Sequence, residues 1–190
     1  MGDSYNNAVK AAKGFGHVTV IDSGFVSGGM ALVVLAAARQ ITLGANVTDI
    51  CELVDEMKKH ISCSFMMSSI TAFYKNGYTG KLSNLLCNTF RLRPIIKSKQ
   101  SEFVLGGFKA GNKDVCTRKY IRSYAKRQKN YNHDIIYVTF AGIPVEDQDK
   151  LMKELEAFKN FKQVIVQKSS ATNTCFAGRG TISVAVYVEK

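Results

Sequence analysis

A chain of 190 residues, 46% hydrophobic and 22% charged, holds enough apolar material for one buried core or two small lobes. Its longest apolar run, Met30 to Ala38, stops at Arg39 after nine residues, short of the roughly 20 that a membrane-spanning helix needs. The formal net charge is +11 and uneven: eight Lys or Arg stand between Lys109 and Lys129 against Asp114 alone, a pattern that attracts phosphates, anionic lipid heads or an acidic partner surface.

Asp3 to Lys13 reads as a helix, capped by Ser4 or Asp3 and ended by Gly14 and Gly16; the opening MGDSYNNAVK has no apolar signal region. His17 to Ile21 predicts a short buried strand, because a continuous β-branched run suits a sheet covered on both faces. Ser27 to Leu43 predicts a largely buried apolar helix closed by Gly44, and Asn46 starts an amphipathic helix running to about His60. Beyond it the rhythm is irregular. Cys63 to Met67 reads as a strand, Ser69 to Lys75 and Leu82 to Phe90 as short helices, and Arg93 to Lys97, with Pro94, as an edge strand. Glu102 to Leu105 and a Gly106-Gly107 turn continue a meander, and a basic helix follows from about Asn112 to Lys129. Strand Asp134 to Phe140, helix Val145 to Lys159, strand Phe161 to Lys168, a polar loop from Ser169 to Gly180 and strand Thr181 to Val188 close the chain. The expected class is α/β: a partial Rossmann-like lobe over residues 1–62, then an α+β lobe with a mixed or antiparallel sheet over 63–190.

Catalytic patterns are sparse. Five cysteines at 51, 63, 87, 116 and 175 form no CxxC, which points to reduced thiols in a cytoplasmic protein; the three isolated histidines argue against a zinc or di-metal site. No GxGxxG, P-loop or GxSxG pattern occurs, so neither a dinucleotide cofactor nor a serine hydrolase elbow is supported. Ser27-Gly28-Gly29 reads mainly as a close-packed helix start rather than a phosphate cradle. The acids of Glu146-Asp147-Gln148-Asp149 complement a helix N-terminus. In the basic helix, Tyr120, Ile121 and Tyr124 fall near helical spacing, so a solvated basic face over a core-facing stripe is preferred to a nucleic-acid site. Phe65, Met66, Met67, Ile70, Phe73, Leu85, Leu86 and Phe90 could line an apolar tunnel or simply build a core.

Four segments together carry a resemblance. VTVIDSGFVSGG, SFMMSSITAFYKNGYTGKLSN, LRPIIKSK and TCFAGRGTISVAVY resemble, in order and rough spacing, parts of the DegV family, whose members bind one fatty acid and in several cases present it to a fatty-acid kinase. The resemblance implies a cytoplasmic, non-enzymatic lipid-binding protein with the acyl tail in the C-terminal lobe and the carboxylate at the interlobe cleft, where Ser27, Gly28 and Gly29 stand. Residues 2 to 12 resemble a helix that lies well inside the family's first lobe, so an opening segment of that lobe has no counterpart here. The uncovered apolar faces of the Ile21 segment and the Met30–Ala38 helix then require a partner chain, a second copy of this chain or further residues. Lys81 and Ser83 replace the family's Gly-Gly-Arg-Ile-Ser ending, and Phe176 stands where a carboxylate-binding histidine is expected, with Arg179 able to supply charge. The implied lipid-binding set is Phe65, Met67, Phe73, Lys81, Ser83, Leu86, Thr174, Phe176 and Arg179, and Asp3 near an anionic head would repel it. The competing expectation, from another class, is a nucleic-acid or acidic-partner binding module acting through Lys109 to Lys129.

Overall fold

The structure, a computed structural model, describes residues 3–99 and 102–189. In chain order the elements are α1 (Ser4–Ala12), α2 (Ser27–Thr42), α3 (Val47–Met57), β1 (Ile61–Met66), α4 (Thr71–Lys75), α5 (Lys81–Thr89), β2 (Leu92–Lys99) and β3 (Glu102–Ala110). They continue with α6 (Lys113–Ala125), β4 (Tyr131–Phe140), α7 (Val145–Leu155), β5 (Gln163–Lys168), α8 (Ala171–Ala177) and β6 (Ile182–Val188). The strands form one mixed sheet in the order β3-β2-β1-β6-β4-β5. Only β4 and β5, joined through α7, run parallel; the other neighbours are antiparallel. The last strand of the chain is therefore inserted at the centre of the sheet. Its sequence, ISVAVYV, is apolar at nearly every position because both of its faces are covered.

Alternation along the strands divides the core in two. On one face Ile136, Val138, Val184 and Val186 meet α6 and α7 through Tyr120, Ile121, Leu151 and Leu155. On the other face Cys63, Tyr137 and Ala185 meet α2 and α3 through Leu32, Val33, Ile50 and Val54. A third cluster, with Phe65, Met67, Ile70, Phe73 and Ile96, fills the β1–β2 end beneath α4 and α5. Helix α3 starts where Asn46 caps it: the Asn46 side chain accepts from Asp49 N at 3.0 Å, and Asp49 accepts from Asn46 N at 3.4 Å. Gly28 and Gly29 let α2 sit close to the sheet. A Cβ at Gly28 would stand 3.1 Å from Tyr137 and 3.3 Å from Ala185, and one at Gly29 would stand 2.9 Å from Phe25.

Four sequence expectations are corrected. His17 to Ile21 is not a buried strand: no neighbouring strand pairs with it among the described residues, and Val18 and Ile21 are exposed. Propensity alone cannot make a strand without a ladder to satisfy its amides and carbonyls. Arg93 to Lys97 lies inside the sheet, in β2, between β1 and β3. Pro94 is accommodated there because β1 ends at Met66 opposite Ile95, so Pro94 stands past the last rung and only its carbonyl is used, accepting from Met67 N at 2.9 Å. Gly106-Gly107 is a β-bulge within β3, not a turn: Ile95 pairs with Gly107 and Ile96 with Leu105, leaving Gly106 unpaired. Finally, the polar loop from Ser169 contains α8, begun by Ser170, whose Oγ accepts from Asn173 N at 3.2 Å. The same serines and threonines that suggest a loop also cap a helix.

The outward side of α2 is left uncovered: Met30, Val34 and Leu35 are exposed, as are Phe15 and Val18 beside them in sequence. No helix among the described residues is long and apolar enough to cross a membrane.

Polar groups within the core are paired. Ser64 Oγ lies 2.9 Å from the Tyr120 hydroxyl and 2.7 Å from that of Tyr124, and Tyr120 OH donates to the Ser64 carbonyl at 2.8 Å. Burial pushes the Tyr124 phenol from its ordinary 10.0 up to about 12, so the folded state holds a proton that the unfolded chain loses first. Stability should accordingly be unaffected by this group below pH 10 and decline between pH 10 and about 12. In urea titrations Tyr124→Phe is expected to lose about 1 kcal/mol at neutral pH and to flatten that alkaline decline.

Candidate functional site

Beyond the N-terminus of α2, on the same face of the sheet, lies a cavity of about 430 Å³. Its floor follows from strand register. Phe65 of β1 is opposite Ser183 of β6, and Ser183 is opposite Thr139 of β4, so the three side chains form a row across the sheet. The apolar end of that row is enlarged by aromatic rings. Phe65 meets Phe103 and Phe73 with ring centres 5.5 and 6.0 Å apart, and Tyr78 bridges Phe73 at 5.1 Å to Phe176 at 6.0 Å. Edge-to-face contacts of this kind hold rings in place without filling the space between them.

The opposite end is lined with hydroxyls. Ser27 Oγ lies 2.8 Å from Thr139 Oγ1, which lies 2.6 Å from Ser183 Oγ. Thr139 and Ser183 are each buried, and each is a polar residue in an otherwise apolar strand. Ser27 opens α2 with a φ of 55°, a left-handed conformation that costs a non-glycine residue energy and recurs where a side chain must be aimed. Thr172 and Asn173 of α8, together with Ser169 and Thr181, extend the polar wall, and Ser4 and Asp3 complete it from the start of α1.

The chemistry of these walls is that of binding. Cys63 borders the cavity, but burial pushes its thiol up to about 12, partly offset by the Gly29 amide, so it is held neutral and is a poor nucleophile. The lining includes no histidine or other general base beside the hydroxyls apart from Asp3. Among the described residues, no group of three His, Cys, Asp or Glu is placed to hold a metal ion.

Of the residues singled out by sequence, Phe65, Phe73, Phe176 and Ser27 line this cavity together. Gly28 and Gly29 stand behind Ser27, against the sheet and Phe25. Met67 is fully buried in the cluster with Ile70 and Phe73. Lys81, Ser83 and Leu86 are exposed on α5 and do not line the cavity. Thr174 turns its hydroxyl to the Ser170 carbonyl at 2.8 Å, along α8. Arg179 lies against Gly142, where a Cβ would be 3.1 Å from its Cγ and Nε, and its carbonyl accepts from Ser68 Oγ at 2.5 Å. Sequence reasoning missed Tyr78, Phe103, Thr139 and Ser183 as lining residues. The available signal was the isolated hydroxyl in each of DIIYVTF and ISVAVYV.

The basic helix α6 is in large part paired. Arg118 and Arg122 reach Glu154 at 2.8 and 3.7 Å, and Lys113 reaches Asp147 at 3.5 Å. Its Tyr120 and Tyr124 are buried in the core rather than presented for stacking on bases.

Over residues 1–189 the chain matches the family model described as uncharacterised protein, DegV family. A DegV domain-containing protein of Streptococcus pyogenes serotype M3 is 24% identical over 172 residues, which is 90% of this chain and 60% of the relative. One from Deinococcus radiodurans is 24% identical over 180 residues, 93% of this chain and 62% of the relative. The chain thus spans about three-fifths of the length of the curated relatives it matches. Among solved structures, a DegV family protein from Eubacterium eligens loaded with heptadecanoic acid superposes with a TM-score of 0.82 at 18% identity, covering 100% of this chain and 70% of that one. The Streptococcus pneumoniae fatty acid kinase B3 protein loaded with linoleic acid gives a TM-score of 0.80 at 17% identity, covering 99% of this chain and 68% of that one. The likeness to solved structures establishes the fold, and the family match, which runs nearly end to end, establishes kinship: this chain belongs to the DegV family.

Proposed function

We propose that this protein binds one long-chain fatty acid, with the tail among Phe65, Phe73, Phe103 and Phe176 and the carboxyl head at Ser27, Thr139 and Ser183. The observation that carries the reading is the division of one cavity into an aromatic end and a hydroxyl end, ordered by the β1–β6–β4 register. Its size falls within the range of about 300–1,000 Å³ usual for small-molecule sites. Each methylene buried there contributes about 0.8 kcal/mol, and hydroxyl partners offset the desolvation of the head. DegV proteins of the same fold that were solved with heptadecanoic or linoleic acid bound support the class of ligand.

In this reading residues 1–62 act as one partial lobe and 63–190 as the lipid-binding lobe. The head group then sits at their junction, because Ser27 comes from the first and Thr139 and Ser183 from the second. We read the protein as a cytoplasmic carrier rather than an enzyme, since its one cavity thiol is held neutral and its hydroxyls are bonded to one another. A fatty-acid kinase is the proposed recipient, a role supported by the likeness to the kinase B3 protein.

Denaturing organic extraction of the purified protein, followed by mass spectrometry, should release a single class of long-chain acyl compound; protein that refolds, binds no added fatty acid and yields none on extraction would end the proposal. Thr139→Val is expected to weaken fatty-acid binding about three- to tenfold, roughly the worth of one hydrogen bond, with little change in thermal melting. The kinase role is checked by acyl-phosphate formation: a purified bacterial fatty-acid kinase should phosphorylate the acid only when this protein is present.

A further inference from the structure

The cavity wall carries a single formal charge, and it is negative. Of the charged residue types, only Asp3 lines the cavity, and no Lys, Arg or His does. Cations elsewhere in neighbouring segments are engaged or turned away. Lys113 is paired with Asp147 at 3.5 Å, Arg179 lies along Gly142, and Lys58 bonds the Asp22 carbonyl at 2.9 Å and Asp55 at 2.6 Å. A carboxylate entering this space would exchange water for neutral hydroxyls and meet a like charge, and both effects oppose it.

One feature acts the other way. The N-terminus of α2, a helix of 16 residues, begins at Ser27 on the cavity and carries about half a positive charge. That is roughly half the magnitude of an aspartate, and the Gly29 amide is already directed at the Cys63 sulfur. The balance at the polar end is therefore negative. Ser27, Thr139 and Ser183 each both donate and accept, which matches a head that does the same without net charge.

We infer that the long-chain ligand occupies this cavity with an uncharged, hydrogen-bonding head, either a protonated carboxyl group or a long-chain alcohol, and that Asp3 imposes this choice. The inference rests on the acyl-binding reading above and narrows it. Three ligands with one tail and three head charges test it by competitive displacement of a fluorescent fatty acid at pH 8: oleate, oleyl alcohol and oleylamine. The full chain should bind oleyl alcohol about tenfold more tightly than oleate, with oleylamine no tighter than the alcohol; in Asp3→Asn the gap between alcohol and oleate should shrink to about threefold or less. Oleate as the tightest ligand, oleylamine as the tightest ligand, or a gap unchanged in Asp3→Asn would each overturn the inference while leaving acyl binding intact. Failure of all three ligands to bind would overturn acyl binding itself and this inference with it. Mass spectrometry of the co-purified compound then distinguishes the acid from the alcohol as the natural source of the head.

Discussion

The arrangement depends on where the last strand enters the sheet. Because β6 lies between β1 and β4, Ser183 is held between Phe65 on one side and Thr139 on the other. One row of one sheet therefore passes from aromatic carbon to hydroxyl oxygen. That order is fixed by backbone hydrogen bonds, so it persists whatever the loops above it do. A slip of one residue in β6 would turn Ser183 to the opposite face and bring Val184 into the row, which is why the register of this strand matters more than any single lining residue.

The void above that row has its own cause. Helix α2 approaches the sheet closely through Gly28, but it begins at Ser27, so it covers Tyr137 and Ala185 and stops short of Thr139 and Ser183. Beyond its first residue the covering is done by α8, by the Phe73–Tyr78 segment and by the start of α1, none of which lies flat on the strands. An empty apolar space lowers stability in proportion to its size, so a cavity of this kind is best understood as occupied in the working protein. The buried hydroxyls follow the same logic. They satisfy one another in the free protein and can re-pair with a head group at little cost.

Much of the fold was legible in the sequence because its signals are local. The apolar circumference of Ser27–Thr42, the Asn46–Asp49 cap and the β-branched run of Ile182–Val188 each specify an element without help from the rest of the chain. Neighbours were not legible. The β-branched residues at 18–21 have strand propensity but no strand beside them, and Pro94 suits an edge yet lies inside the sheet because β1 has already ended. At the site, Phe65, Phe73, Phe176 and Ser27 could be singled out from resemblance, whereas Lys81, Ser83, Leu86 and Arg179 are displaced from the cavity by the path of α5 and by Arg179's packing on Gly142. Thr139 and Ser183 are 44 residues apart and become a pair only through sheet register, which no spacing rule conveys.

The central claim is directional: greasy end at Phe65, polar end at Thr139. A crystal of the protein grown with a long-chain fatty acid brominated near its terminal methyl tests it most directly, because bromine is located by anomalous scattering without assumption. The account expects the bromine peak beside Phe65, Phe73 and Phe103, with the head within hydrogen-bonding distance of Ser27, Thr139 or Ser183. A bromine peak beside Thr139 and Ser183, or on the outer face of α5 with the cavity holding only water, would contradict it.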